Sequence, residues 1–136
     1  MQDEALEILK TARTVAVVGL SPDPSRPSHN VASYLKRQGY RIIPVNPTVS
    51  EVLGEKSYPD LRSVPEPIDV VDVFRRPEHV PQLVEDAIAV GAKAVWLQEG
   101  VVHEQAAERA RQAGLRVVVD RCMLKEHQRH RMAGQL

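Results

Sequence analysis

A doubly wound, parallel α/β sheet is the fold class this sequence predicts, and three observations predict it. Short apolar runs recur at residues 15–18, 41–45, 68–74, 94–97 and 116–119. Amphipathic stretches with helical spacing separate most of them at the distances of βαβ units. Three of those stretches stop at a glycine, at Gly39, Gly91 and Gly114, the residue that most readily takes the left-handed conformation closing a helix. Right-handed crossovers then build one five-stranded sheet with helices on both faces, in the Rossmann-like order 3-2-1-4-5. The 136 residues read as one domain over residues 1–136, long enough to bury roughly two thirds of the unfolded surface.

In chain order, residues 3–12 place Ala5, Ile8, Leu9 and Ala12 at helical spacing, with Asp3 and Glu4 near the positive end of the helix dipole. Residues 15–18 are apolar throughout, as a strand buried on both faces requires, and Gly19 ends them. Ser28 or Asn30 is expected to cap the next helix, whose core face holds Val31, Tyr34 and Leu35. Residues 41–45 form the second strand, closed by Asn46-Pro47. Residues 48–67 show no sustained period and hold Gly54, Pro59, Pro65 and Pro67, so they read as a long connection with one helical turn near Leu61. Residues 68–74 are the third strand, followed by the turn Arg75-Arg76-Pro77. Residues 80–90 give a helix on Val80, Leu83, Val84, Ala87 and Ile88, and residues 94–97 the fourth strand. Residues 103–113 are helical, 116–119 form the fifth strand, and 124–131 a terminal helix.

Composition narrows the function classes. Lysine plus arginine equals aspartate plus glutamate at 18 each, so no global field draws the chain to nucleic acid or to an anionic membrane. Any bound anion must be held by local geometry. No apolar run approaches the roughly 18 residues of a membrane span, and a single cysteine, Cys122, excludes an internal disulfide and suits a reducing compartment. A cytoplasmic protein is the expectation.

The most informative stretch is VAVVGLSPDPSRPSHN, residues 15–30. An apolar strand that ends in glycine and feeds a helix presents backbone N–H groups to a phosphate. In an open α/β sheet the ligand lies beyond the carboxyl ends of the strands. Those ends carry Gly19, Leu20, Ser21 and Pro22, then Val45, Asn46 and Pro47, then Phe74, Arg75 and Arg76, then Gln98, Glu99 and Gly100, and finally Cys122. The start of the following helix adds Arg26, Ser28, His29 and Asn30. A dinucleotide fingerprint would need three glycines and an acid at the end of the second strand. Only Gly19 is present, Ser21 and Pro24 stand where later glycines would be, and the second strand ends in Asn46. Phosphate can still be held by the turn's N–H groups, the Ser21 and Ser28 hydroxyls and the Arg26 fork.

The segments GLSPDPSRPSHNVASYLKRQGYRIIPVNP, EVLGEKSYPDL, IDVVDVFRRPE and AVWLQEGVVHEQAAERARQAGLRVVVDRC together resemble the small stand-alone coenzyme A-binding domain proteins. They are similar also to the N-terminal domain of the succinyl-CoA synthetase α subunit, over about residues 3–126. The resemblance implies CoA or an acyl-CoA as ligand, lying across Gly19 to Pro22, the Asn46-Pro47 region and Gln98 to Gly100. Those relatives have a lysine soon after the second-strand proline. Here Thr48-Val49-Ser50 fill that place and the nearest lysine is Lys56. Arg26, Lys56, Arg75 and Arg76 are therefore the candidates for the 3′-phosphate, with Arg26 favoured for the pyrophosphate.

A catalytic constellation is not legible. The synthetases carry a phosphorylated histidine in a glycine-rich loop of a second domain, and none of the five histidines here lies in such a loop. His29 is either a phosphate donor or a helix-start residue, and His79 and His103 also fall near helix starts. Cys122, His127 and His130 lack the fourth ligand and the spacing of a zinc site, so no metal is expected. Arg121, Lys125, Arg129 and Arg131 read as a solvated helix face, because the chain has too few aromatics for a base-stacking platform. Two readings of Cys122 stay open: a thiol close enough to a pantetheine thiol to form a mixed disulfide, or a small apolar residue packed behind the sheet. The expected role is a non-enzymatic carrier, sensor or partner module, its protein partner unidentified. The alternatives are an enzyme component whose catalytic groups come from a partner chain, and an NAD-linked or other nucleotide-binding regulator.

Overall fold

The computed structural model describes residues 3–136. The chain runs α1 (Glu4–Thr11), β1 (Thr14–Val18), α2 (Pro27–Arg37), β2 (Arg41–Val45), β3 (Glu51–Val52), β4 (Glu55–Lys56), β5 (Val70–Val73), α3 (Val80–Ala89), β6 (Ala94–Leu97), α4 (Glu104–Gln112), β7 (Arg116–Val118) and α5 (Met123–Met132). Five strands form one parallel sheet in the order β2-β1-β5-β6-β7. A parallel bridge between Val45 and Tyr58 adds a one-residue strand outside β2, in which Tyr58 N–H donates to Pro44 O and Asn46 N–H donates to Tyr58 O. With Tyr58 in third place the pattern is 3-2-1-4-5, extended by β7. The run at 68–74, third among the apolar runs of the sequence, thus stands beside β1.

Alternation along the strands divides the core between two faces. Ala16, Val18, Val71, Val73, Val95 and Leu97 pack with the apolar sides of α3 and α4. Val15, Val17, Val70, Trp96 and Val118 pack with α1, α2 and α5. Because both faces are covered, the central strands read as continuous apolar runs. The exception is Asp72, wholly buried in β5 between Val17 of β1 and Trp96 of β6.

Several local expectations change. Residues 48–67 contain a β3–β4 hairpin whose turn residues Leu53 and Gly54 both have positive φ, the backbone of a tight two-residue hairpin. The helical turn near Leu61 is present at Leu61–Ser63, where the Asp60 carboxylate accepts from Ser63 N–H. Neither Ser28 nor Asn30 caps α2: Arg26 is the N-cap, without a side-chain bond, and Pro27 occupies the first helical position. Proline suits that position because it has no N–H to leave unpaired. β5 starts at Val70, two residues later than the apolar run suggests. Asp69 is diverted to accept the backbone N–H groups of Arg13 and Thr14, which pins the start of β1.

The carboxyl-terminal helix is tied down by polar contacts. His127 Nδ1 meets the Tyr34 hydroxyl at 2.7 Å, and His130 Nδ1 meets Gln135 Oε1 at 2.7 Å while its Nε2 lies 3.4 Å from the Asp3 carboxylate. Both imidazoles are buried. Arg121 and Arg129 pair with Glu126, Lys125 pairs with Glu99, and Arg131 donates to Gln38. Among the described residues no cluster of three His, Cys, Asp or Glu is arranged to hold a metal ion, and no helix is long and apolar enough to cross a membrane.

Candidate functional site

The first strand ends where the connections reverse direction: α2 carries the chain from β1 outward to β2, and β5 begins the other half of the sheet. Ligands of open α/β sheets sit at this switch point. Gly19 makes the turn, donating its N–H to Val45 O while Phe74 donates to Val18 O. Its φ of +86° is unfavourable for any residue with a side chain, and a Cβ there would collide with the Phe74 carbonyl oxygen. Leu20 turns inward and is fully buried in the core, with its carbonyl held by the Asn46 amide at 2.9 Å. Ser21 N–H donates to Ser28 Oγ, Asp23 N–H to Ser21 Oγ, and Ser25 N–H and Oγ–H both to Asp23 Oδ1. The turn is therefore stitched into shape by its own side chains. Those Ser25 bonds hold the exposed Asp23 carboxyl below its usual range.

Above this turn lies a cleft of about 480 Å³. Gly19 and Ser21 contribute its first wall, Arg26, Pro27, Ser28 and Val31 the start of α2, and Phe74 the end of β5. Gln98, Glu99 and Val101 come from the turn after β6, and Cys122 from the N-cap of α5. A second depression of about 500 Å³ lies near α1 and β7, lined by Asp3, Glu4 and Arg111 among others. Volume does not separate the two. Position does, because only the first cleft gathers the carboxyl ends of three sheet strands.

Of the nineteen candidate positions, the structure brings Gly19, Ser21, Arg26, Ser28, Phe74, Gln98, Glu99 and Cys122 to this cleft. The others stand elsewhere. Leu20 and Val45 are core residues, and Asn46 braces the turn. Pro22, Asn30, Pro47 and Arg76 are exposed and outside the cleft lining, and His29 is half-buried within α2. Lys56 sits on the hairpin with its ammonium 5.2 Å from the centre of the Tyr58 ring. Arg75 leans on the Gly19 turn and its guanidinium meets His79 Nε2 at 3.2 Å. Gly100 donates its N–H to Asp120 Oδ1 at 2.7 Å, which ties the turn after β6 to the turn after β7. His103 caps α4 by accepting from Ala106 N–H. Sequence reasoning missed Pro27, Val31 and Val101 as lining residues. Val31 lies one turn after Ser28 on the same helix face, a spacing that could have revealed it.

Beneath the cleft lies a buried polar pair. Gln98 Nε2 donates to Asp72 Oδ1, while Asp72 Oδ2 is buried with no hydrogen-bond partner among the described residues. Burial pushes the Asp72 carboxyl up to about 7, against the smaller opposing effect of the Gln98 bond. Nearby, the Trp96 indole N–H donates to Arg121 O at 2.9 Å and steadies the backbone that leads into Cys122.

A doubly wound sheet with a cleft on its glycine turn defines this chain as a Rossmann-like α/β domain. Residues 13–128 match the family model described as a CoA binding domain, and the chain belongs to that family. It is 42% identical over 124 residues to the uncharacterized protein YneT of Bacillus subtilis, covering 91% of this chain and 92% of the relative. It is 44% identical to a hypothetical protein from Pyrococcus horikoshii of known structure, with a TM-score of 0.90 over 95% of this chain and 92% of the other. It is also 30% identical over 95 residues to the ADP-forming acetate–CoA ligase II of Archaeoglobus fulgidus, a match that covers 68% of this chain and 14% of the ligase.

Proposed function

We propose that the cleft binds coenzyme A or an acyl-CoA, and that the chain serves as a non-enzymatic carrier, sensor or partner module. The observation that carries this reading is the convergence of the Gly19 turn, Arg26 and the positive end of the α2 dipole on one cleft in a CoA-binding-family fold. In this reading the Arg26 guanidinium and the Ser28 hydroxyl meet the pyrophosphate, and the pantetheine arm crosses the end of β5 toward Gln98 and Cys122. Arg26 is exposed and has no side-chain cap bond to surrender, so a phosphate gains its fork without breaking an internal pair. The lone cysteine supports a reducing, cytoplasmic setting.

A partial match to a much longer ligase favours a second reading, in which a partner chain supplies catalytic groups to the bound thioester. Thermal unfolding with CoA, acetyl-CoA, 3′-dephospho-CoA, ATP and NAD tests the ligand assignment. A ligand present at a hundredfold over its Kd adds about 2.7 kcal/mol of stability. The expected order has CoA and acetyl-CoA raising Tm most. Equal shifts from all five ligands, or a shift from NAD alone, would contradict the assignment.

A further inference from the structure

Gln98 joins the cleft to the buried interior through a titratable group. It is almost fully buried, lines the cleft, and spends its Nε2 on Asp72. Among the described residues its Oε1 has no protein partner and is not sealed from solvent, so the carbonyl end of the amide opens to the cleft. Asp72 has one oxygen on that amide and the other without a partner among the described residues, between Val17 and Trp96 on the neighbouring strands. An amide with a carboxyl behind it has two arrangements. A carboxylate accepts only, so it must hold the NH₂ end and leave the carbonyl facing outward. A neutral carboxylic acid donates, so it can hold the carbonyl end and leave the NH₂ facing outward.

We propose that Asp72 sets the hydrogen-bonding polarity of the cleft floor through Gln98, and that this selects between a ligand ending in a donor and one ending in a carbonyl acceptor. Resting on the CoA reading, the two ligand classes are the free thiol and the acyl thioester. Gln98 suits the reactive end of the ligand because β6 lies two strands from β1, roughly 10 Å from the phosphate turn. With Asp72 ionised, the Gln98 carbonyl accepts from a thiol S–H and repels a thioester oxygen. With Asp72 neutral, the Gln98 NH₂ donates to the thioester oxygen. An elevated Asp72 pKa near neutrality puts both arrangements within ordinary conditions.

No charged group touches Asp72 among the described residues, whose carboxyl responds to burial and to Gln98 alone. The titratable groups on this face include Tyr34 of α2 and His127 of α5, bonded to each other, Tyr40 edge-on to His127, and His130 of α5 beside Asp3, with Arg26, Glu99 and Cys122 lining the cleft. α1 brings the apolar residues Ala5, Ile8 and Leu9 to the face.

Two measurements on the full chain test the proposal. Side-chain amide NMR of the free protein between pH 5 and 8.5 should show the Gln98 NH₂ signals moving through one transition, absent in Asp72→Asn. Calorimetric Kd values for CoA and acetyl-CoA at pH 5.5 and 8.0 should show the preference for acetyl-CoA rising about fivefold at the lower pH. The 3′-phosphate titrates in the same range but is common to both ligands, so the ratio cancels it. The ratio should be independent of pH in Asp72→Asn and in Gln98→Leu, the second variant standing in if the first does not fold. Gln98 signals that do not titrate, or a wild-type ratio that is constant with pH, would overturn the proposal. If neither ligand binds at either pH, the CoA reading falls and ligand selection with it, while the NMR transition still separates that failure from a fixed Gln98 amide.

Discussion

Gly19 carries the geometry of the site in one backbone torsion. Its positive φ and the close Phe74 carbonyl leave no room for a methyl group. Gly19→Ala should destabilise the fold by about 3 kcal/mol, the sum of left-handed backbone strain and a steric clash that rigid strands cannot relieve. Urea unfolding measures this, and an unchanged midpoint would show that the turn yields easily. Asp72 provides a residue-scale test with a definite sign. Burial raises its pKa from 3.8 to about 7, so between those values the folded state binds more protons than the unfolded state. Wild-type stability should therefore fall as pH rises from about 4 to 7. Asp72→Asn removes that loss and should be more stable than wild type by about 1–3 kcal/mol at pH 8. The advantage should vanish near pH 4. Parallel pH–stability curves for the two proteins would refute the assignment of a buried, ionising carboxyl.

At the scale of elements, α5 is held by specific polar contacts more than by an apolar stripe. Its buried face includes His127 and His130 as well as Met123, and Tyr34 and Tyr40 both meet His127 edge-on. Tyr34→Phe should cost about 1–2 kcal/mol at pH 7.5 by leaving the His127 nitrogen unpaired. Burial, with Arg131 and His130 nearby, lowers the His127 pKa below 6.5. The unfolded chain then takes up this proton before the folded one, and α5 docking should weaken as pH falls below about 6.5. Hydrogen exchange of the α5 amides at pH 5.5 and 7.5 checks both effects. Protection that is identical at the two pH values and in Tyr34→Phe would contradict them. The sequence showed that a helix lies here because 124–131 is flanked by a strand and a glycine. It could not show that His127 and His130 are interior, since their partners Tyr34 and Asp3 lie 93 and 127 residues away in the chain.

The whole molecule was legible wherever burial on both faces writes itself into composition. Residues 15–18, 42–45 and 94–97 are apolar throughout because helices or loops cover both faces of the sheet there. The β3–β4 hairpin was not legible, since two-residue strands carry no period and the signal lay in one Leu-Gly pair. The place of 68–74 in the sheet depended on Tyr58, a single bridge that no local pattern reveals. Strand ends located the site well, as eight of the nineteen candidate positions line one cleft. The remainder were nominated by chain position alone, which does not distinguish a side chain that faces the cleft from one that enters the core, as Leu20 does, or braces a turn, as Asn46 does. Lys56 departs for a different reason: an irregular connection gave no register from which to place it, and the hairpin engages it with Tyr58.

The central claim is that the Gly19 turn and Arg26 hold the phosphates of CoA. Calorimetric titration of CoA into wild type and Arg26→Ala tests it most directly, with circular dichroism confirming that the variant is folded. One CoA should bind per chain, and the variant should bind more weakly by about 1.5–3 kcal/mol, as expected for loss of hydrogen bonds to a charged group. Absence of heat on the wild type, or equal affinity for the two proteins, would contradict the account.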